Sequence, residues 1–247
     1  MMTAKKALHP LKYAIALAIS PISIALTQVL PQTIGIPTLT EEGFSTWQNA
    51  LIGTVIALGM LFICLWLAKD KLQEDWPRWK AHWLRNGLIA AGSAVFMLIA
   101  LSPIAKLLSG LLGNPAEAAL SIHAASMLIS VPLGLVNIAM GLASLSAPLT
   151  EEIIFRHYLV APFSGKRWMY AVAILLSSAF FALMHIFNVN WNFRALTLYF
   201  LLALFLHMIY LIARKNIWQN IFTHLFYNGY IVLLGLMGAV MAMFTEL

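Results

Sequence analysis

Long apolar runs of about 20 residues, separated by short polar stretches, dominate the chain, and this spacing predicts membrane-crossing helices rather than a soluble core. Lipid offers no partner for a free backbone N–H or C=O, so spans of this length must be helical. The runs fall at about 13–30, 47–68, 88–108, 121–145, 168–187, 195–213 and 217–244. The expected fold is therefore all-α: a polytopic transmembrane bundle of about seven to eight helices. Residues 1–120 form an N-terminal set of membrane helices, and residues 121–247 form the half that carries the chemistry.

Two segments depart from the simple pattern. Between residues 69 and 85, Leu72, Trp76, Trp79 and Trp83 recur at helical spacing among Lys71, Arg78, Lys80 and Arg85. The pattern predicts a short interfacial helix, with Pro77 in its first turn and its regular part starting near Asp75, or an aromatic belt beside a charged loop. Residues 121–163, read as one helix, would reach roughly 65 Å at 1.5 Å per residue, twice the hydrocarbon core. A break is expected at Ser146-Ala147-Pro148, with Ser146 as cap and an eighth helix running to about Phe163.

Composition narrows the class. The chain is 62% hydrophobic and only 10% charged, with a mean hydropathy of +0.86. Its net charge of +6 is carried largely by lysines and arginines that flank the apolar runs, so nucleic acid is not an expected partner and membrane lipid is. Lys5, Lys6, Lys12, Lys69, Lys71, Arg78, Lys80, Arg85, Lys166, Arg167, Arg214 and Lys215 fall on one side, against Lys106 and Arg194 on the other. This asymmetry places the amino terminus in the cytoplasm of a multi-pass integral membrane protein. No signal-peptidase site follows the first run, which is read as a retained span. A single cysteine, Cys64, excludes an intrachain disulfide and a cysteine-based metal cluster.

Against this background, ionisable groups inside apolar stretches are expensive and mark candidate sites. Glu151 and Glu152 are adjacent, and Arg156 lies four residues after Glu152, on the same helical face and in the favoured acid-before-base order. The spacing assigns Arg156 to Glu152 as an ion pair and leaves Glu151 free to take protons. Taken alone, the group is equally well read as a buried structural pair with a second glutamate at the interface. Phe181 and His185 share a face one turn apart, as do His224 and Asn228. Alone, His185 reads as a packing residue and His224 with Asn228 as interhelical hydrogen bonding. Together, a carboxylate, two imidazoles and an amide suffice to hydrolyse a peptide bond. His207 reads as a packing residue, and Ser177 lacks a base to make it a nucleophile.

The three motifs in order resemble those of the type II CaaX prenyl endopeptidase-like membrane proteins, also called the CPBP or Abi family: Glu151-Glu152-x-x-x-Arg156 for EExxxR, Phe181-x-x-x-His185 for FxxxH and His224-x-x-x-Asn228 for HxxxN. The likeness covers about residues 146–229. After the arginine, where many bacterial members have glycine, this chain has His157. The resemblance implies an intramembrane endopeptidase in which Glu151 and His185 activate water and His224 and Asn228 stabilise the oxyanion, supported by Glu152, Arg156 and Phe181. It also implies a prenylated CaaX protein as substrate in a eukaryote, or a peptide or membrane-protein substrate with links to bacteriocin self-immunity in a bacterium; the compact length fits a bacterial cell membrane. A metal-free mechanism is favoured. Were zinc used, Glu151, His185 and His224 would be its ligands. The competing functions are a non-catalytic membrane scaffold or bacteriocin-immunity protein of the same fold, and a transporter using Glu151 and His185 as a proton relay.

Overall fold

The computed structural model describes residues 10–24, 26, 47–111, 145–186 and 192–245. The run at 121–145, apart from its last residue, and the loop at 31–45 lie outside the described residues. Those described are helical throughout, joined by short turns. Helix α1 spans Pro10–Ile24, α2 Trp47–Lys80 and α3 Trp83–Leu111. A helix over residues 145–152, α4, passes directly into a π-helical stretch, Ile153–Tyr158. Then come a 3-10 turn at Ala161–Phe163, α5 (Arg167–Met184), α6 (Phe193–Ile212) and α7 (Ile217–Thr245). Four segments among the described residues, Ile52–Lys80, Trp83–Leu108, Arg167–Met184 and Phe193–Ile212, are long and apolar enough to cross a membrane.

Helix α3 packs on α6 and α7, α5 packs on α6, and α1 packs on α2. The π-helical stretch sits at the centre, where Phe155 and Tyr158 meet Leu67 of α2, Phe181 of α5 and Leu202, Leu206 and Tyr210 of α6. Two side-chain bonds fix it there. The Tyr158 hydroxyl donates to Leu67 O at 3.0 Å, and Ser177 Oγ donates to Phe155 O at 3.1 Å. The Ser177 hydroxyl thus ties α5 to the wide turn.

Two expectations need correction. No new helix begins near Asp75: α2 continues unbroken through Pro77 to Lys80. Part of the aromatic stripe packs on α7, while Trp83 is exposed. Trp79 stacks on Phe222 with centroids 4.3 Å apart, Trp76 meets Trp218 edge-on at 5.0 Å, and Trp218 Nε1 donates to Leu72 O at 2.8 Å. Likewise, a helix is in place by residue 145, three residues ahead of Pro148, so the segment Ser146-Ala147-Pro148 is itself helical, and Thr150 Oγ1 donates to Ala147 O at 2.8 Å within the helix. The irregularity falls later, at the π turn and at Leu159-Val160, and the helix does not reach Phe163.

Helix α7 is anchored at its start by a residue of α2. Asp75 is completely buried, and its Oδ2 accepts the Ile217 N–H at 2.8 Å. Lys71 Nζ lies 2.9 Å from Asp75 Oδ1, and Arg78 also pairs with it. Asn216 caps the same end, accepting from Trp218 N at 3.0 Å and donating to Asp75 O at 3.1 Å. A carboxylate beside the first N–H groups of a helix meets the positive end of its dipole, which is why the charge is tolerated there. The turn from α6 into α7 is tight: Arg214 (φ 54°) and Lys215 (φ 62°) are both left-handed, and Lys215 N donates to Tyr210 O at 2.8 Å.

Candidate active site

The polar groups singled out by the sequence come from three elements, α4 with its π-helical continuation, α5 and α7. Glu152 is fully buried and densely held. Arg156 Nε lies 3.0 Å from its Oε2, Asn220 Nδ2 donates to Oε2 at 3.0 Å, and His224 Nδ1 donates to Oε1 at 2.9 Å. A charge at this depth persists only when paired and hydrogen-bonded, and Glu152 is both. Arg156, equally buried, also donates from Nη2 to Ala203 O at 3.3 Å, and its guanidinium lies 5.7 Å from the centre of the Phe181 ring. That contact adds cation–π attraction to the ion pair.

Glu151, one residue earlier, is different. Its side chain keeps 21% of its surface open, whereas Glu152 keeps none, and its Oε2 lies 3.7 Å from His224 Nε2. His224 therefore stands between two carboxylates. With the Nδ1 proton directed at Glu152, the neutral ring carries its lone pair on Nε2, toward Glu151.

His185 terminates α5 as its C-cap residue. Its Nδ1 donates to Phe181 O at 2.8 Å, leaving Nε2 as the acceptor in the neutral ring. The imidazole lies between two rings, stacked on Tyr199 at 4.0 Å and 18° and tilted against Phe181 at 4.8 Å. The Glu151 carboxylate is an electrostatic neighbour of both His185 and Tyr199. Phe181 occupies the middle, reaching His224 at 6.3 Å and Phe155 edge-on at 5.1 Å. Asn228 lies one turn beyond His224 on α7 and is half-buried.

The structure thus brings Glu151, Glu152, Arg156, Phe181, His185 and His224 around one centre, with Asn228 on the same helix. His207 is buried and donates from Nδ1 to Ala203 O at 2.8 Å, the carbonyl that also accepts from Arg156, while His157 packs edge-on against Tyr158 at 4.9 Å. Asn220 and Tyr199 belong to the centre and escaped the sequence reading. Asn220 carried a signal: Asn216, Asn220, His224 and Asn228 recur every four residues, a polar stripe along α7. Tyr199 carried none, since an aromatic residue in an apolar helix reads as packing. Among the described residues, no group of three His, Cys, Asp or Glu side chains is spaced to hold a metal ion, the set Glu151, His185 and His224 included.

A carboxylate open to solvent beside an imidazole can accept a proton from water, whereas one that is buried, ion-paired with Arg156 and hydrogen-bonded by Asn220 and His224 is poorly placed to do so. Fold and site together define a helical protein with membrane-length apolar helices and a glutamate–histidine centre enclosed by them. Residues 132–230, which contain all three motifs, match the family model of the type II CAAX prenyl endopeptidase Rce1-like proteins, and over that stretch the chain is similar to this family. No curated protein and no solved structure matches the chain.

Proposed function

We propose that this chain is an intramembrane endopeptidase, CaaX-protease-like, that hydrolyses a peptide bond of a membrane-associated protein or peptide. Glu151 takes a proton from a water whose second hydrogen is directed at His185 Nε2, and the water oxygen adds to the scissile carbonyl. Asn228, together with His224 when both its ring nitrogens are protonated, donates to the oxyanion. Glu151 then returns its proton to the amide nitrogen as the C–N bond breaks. Glu152, held by Arg156 and Asn220, orients the His224 ring. Water is activated by the carboxylate without a metal ion. The chain crosses a bacterial cell membrane about seven times with its amino terminus in the cytoplasm.

The observation that carries this reading is the contrast between the two adjacent glutamates: one buried, ion-paired with Arg156 and hydrogen-bonded by Asn220 and His224, the other open and 3.7 Å from an imidazole. A scaffold or immunity protein with the same fold would gain nothing from that contrast, since apolar residues cost less in lipid. The test is peptide-release mass spectrometry on membranes containing the chain or its Glu151→Ala variant. Released peptides that disappear with the variant are expected. Identical peptide profiles would favour the scaffold.

A further inference from the structure

A second feature lies away from the glutamate–histidine centre, between α1 and α5. A cavity of about 450 Å3 is walled almost entirely by apolar side chains, among them Tyr13 and Leu17 of α1 and Trp168, Val172, Leu176 and Phe180 of α5. Its shape follows from the spacing of these residues. Positions 168, 172, 176 and 180 form one stripe along α5, so the groove extends for roughly 18 Å at 1.5 Å per residue. Tyr13 and Leu17, four apart, give the facing wall one turn of the same stripe. This is the form of a slot for an extended hydrocarbon chain, not for a compact ligand. Leu176 is 66% exposed, so the slot opens sideways to the surroundings of the bundle.

One end of the slot is cationic. Phe163 and Trp168 line that end, and Lys166 and Arg167 lie between them in sequence, in a turn where Lys166 N donates to Phe163 O at 3.3 Å. Both side chains are exposed, and among the described residues no carboxylate pairs with either. An apolar slot that begins beside the exposed side chains of Lys166 and Arg167 at a span end is complementary to a single molecular class, a lipid with an anionic headgroup.

We propose that this groove binds an anionic phospholipid, with one acyl chain along α5 between Trp168 and Phe180 and the phosphate held by Lys166 and Arg167. The bound chain fills the space between α1 and α5 on the side of the bundle where the π-helical stretch ends, since Leu159 also lines the cavity. The site is independent of the proposed peptidase chemistry.

Native mass spectrometry of the purified full-length chain, titrated in detergent with phosphatidylglycerol or with phosphatidylcholine of the same acyl length, tests the proposal. One phosphatidylglycerol per chain is expected, retained about tenfold more tightly than phosphatidylcholine. The double variant Lys166→Gln, Arg167→Gln should lose this preference. Val172→Trp, placed on a partly exposed wall where the fold tolerates bulk, should weaken retention of both lipids, and Ala173→Trp should do the same. Equal retention of the two lipids by the unmodified chain would overturn the proposal, as would unchanged retention in both tryptophan variants with normal thermal unfolding. It would also be overturned by ready disulfide formation between Leu176→Cys and cysteines placed along residues 121–144, on a Cys64→Ala background, because the chain itself would then occupy the slot.

Discussion

His224 Nδ1 lies 2.9 Å from Glu152 Oε1, so the second glutamate of the acidic pair holds the imidazole as well as the arginine. The two glutamates should consequently fail in different ways. Glu151→Gln is expected to leave thermal unfolding unchanged and to lower peptide release by roughly 10²–10⁴-fold, the usual worth of a general base. Glu152→Gln removes the charge facing a buried guanidinium and should destabilise by about 3–5 kcal/mol, with activity lost as the His224 ring turns. Thermal unfolding in detergent, measured beside peptide release, separates the two. Equal unfolding midpoints for both variants would refute the division.

Asn220 lies on the other side of the same carboxylate, donating to Glu152 Oε2 at 3.0 Å and to Leu206 O at 2.6 Å. Asn220→Asp would set a second carboxylate against Glu152 in a buried place. It should destabilise more than Asn220→Ala, which loses hydrogen bonds worth about 1–3 kcal/mol. The order of the two unfolding midpoints is the readout.

At the far end of α7, Asp75→Ala removes an acceptor from Ile217 N–H and the counter-charge of Lys71 and Arg78. A loss of about 1–2 kcal/mol is expected, as for other helix N-terminal acceptors, and Asp75→Asn should recover part of it. Because α7 carries His224 and Asn228, peptide release should fall together with stability in the same two variants.

Asn228→Ala should lower kcat by roughly 10²–10³-fold with KM little changed, since an oxyanion donor acts on the transition state. Steady-state kinetics on an identified peptide substrate would show the split, and a rise in KM alone would assign Asn228 to substrate binding instead.

If water is activated by Glu151 alone, dialysis against a strong chelator should leave peptide release intact, and elemental analysis should find far less than one zinc per chain. Stoichiometric zinc with activity restored by zinc after chelation would reassign Glu151, His185 and His224 as ligands.

How much of this was legible in the sequence depended on the range of each interaction. The helical class follows from apolar runs and from the backbone's need for partners in lipid, both local properties. The approach of Arg156 to Glu152 follows from a spacing of four on one helix. The sequence marks Asp75 only as the start of a helix, because its partner, Ile217, is 142 residues away. Nothing local shows that Trp76 and Trp79 meet Trp218 and Phe222 on another helix. Pro77 reads as a boundary, yet it sits inside a helix whose tertiary packing outweighs one missing donor. Aromatic rings over His185 leave no trace in a linear pattern, because Tyr199 and His185 lie on different helices.

The wide turn at Ile153–Tyr158, where Leu159 N reaches back five residues to Ile154 O at 2.9 Å, holds one residue more than an α-helical path would need. Shortening the chain by one residue there would leave a continuous and better-formed helix, but it would rotate everything after it by about 100° relative to the two glutamates. Tyr158 would swing away from Leu67, and the route into α5, which carries His185, would leave in another direction. For this protein a single-residue deletion at that turn is thus a change of phase rather than of length. Homologous chains that share the centre should keep the residue count between the acidic pair and the start of α5, even where the side chains in between differ.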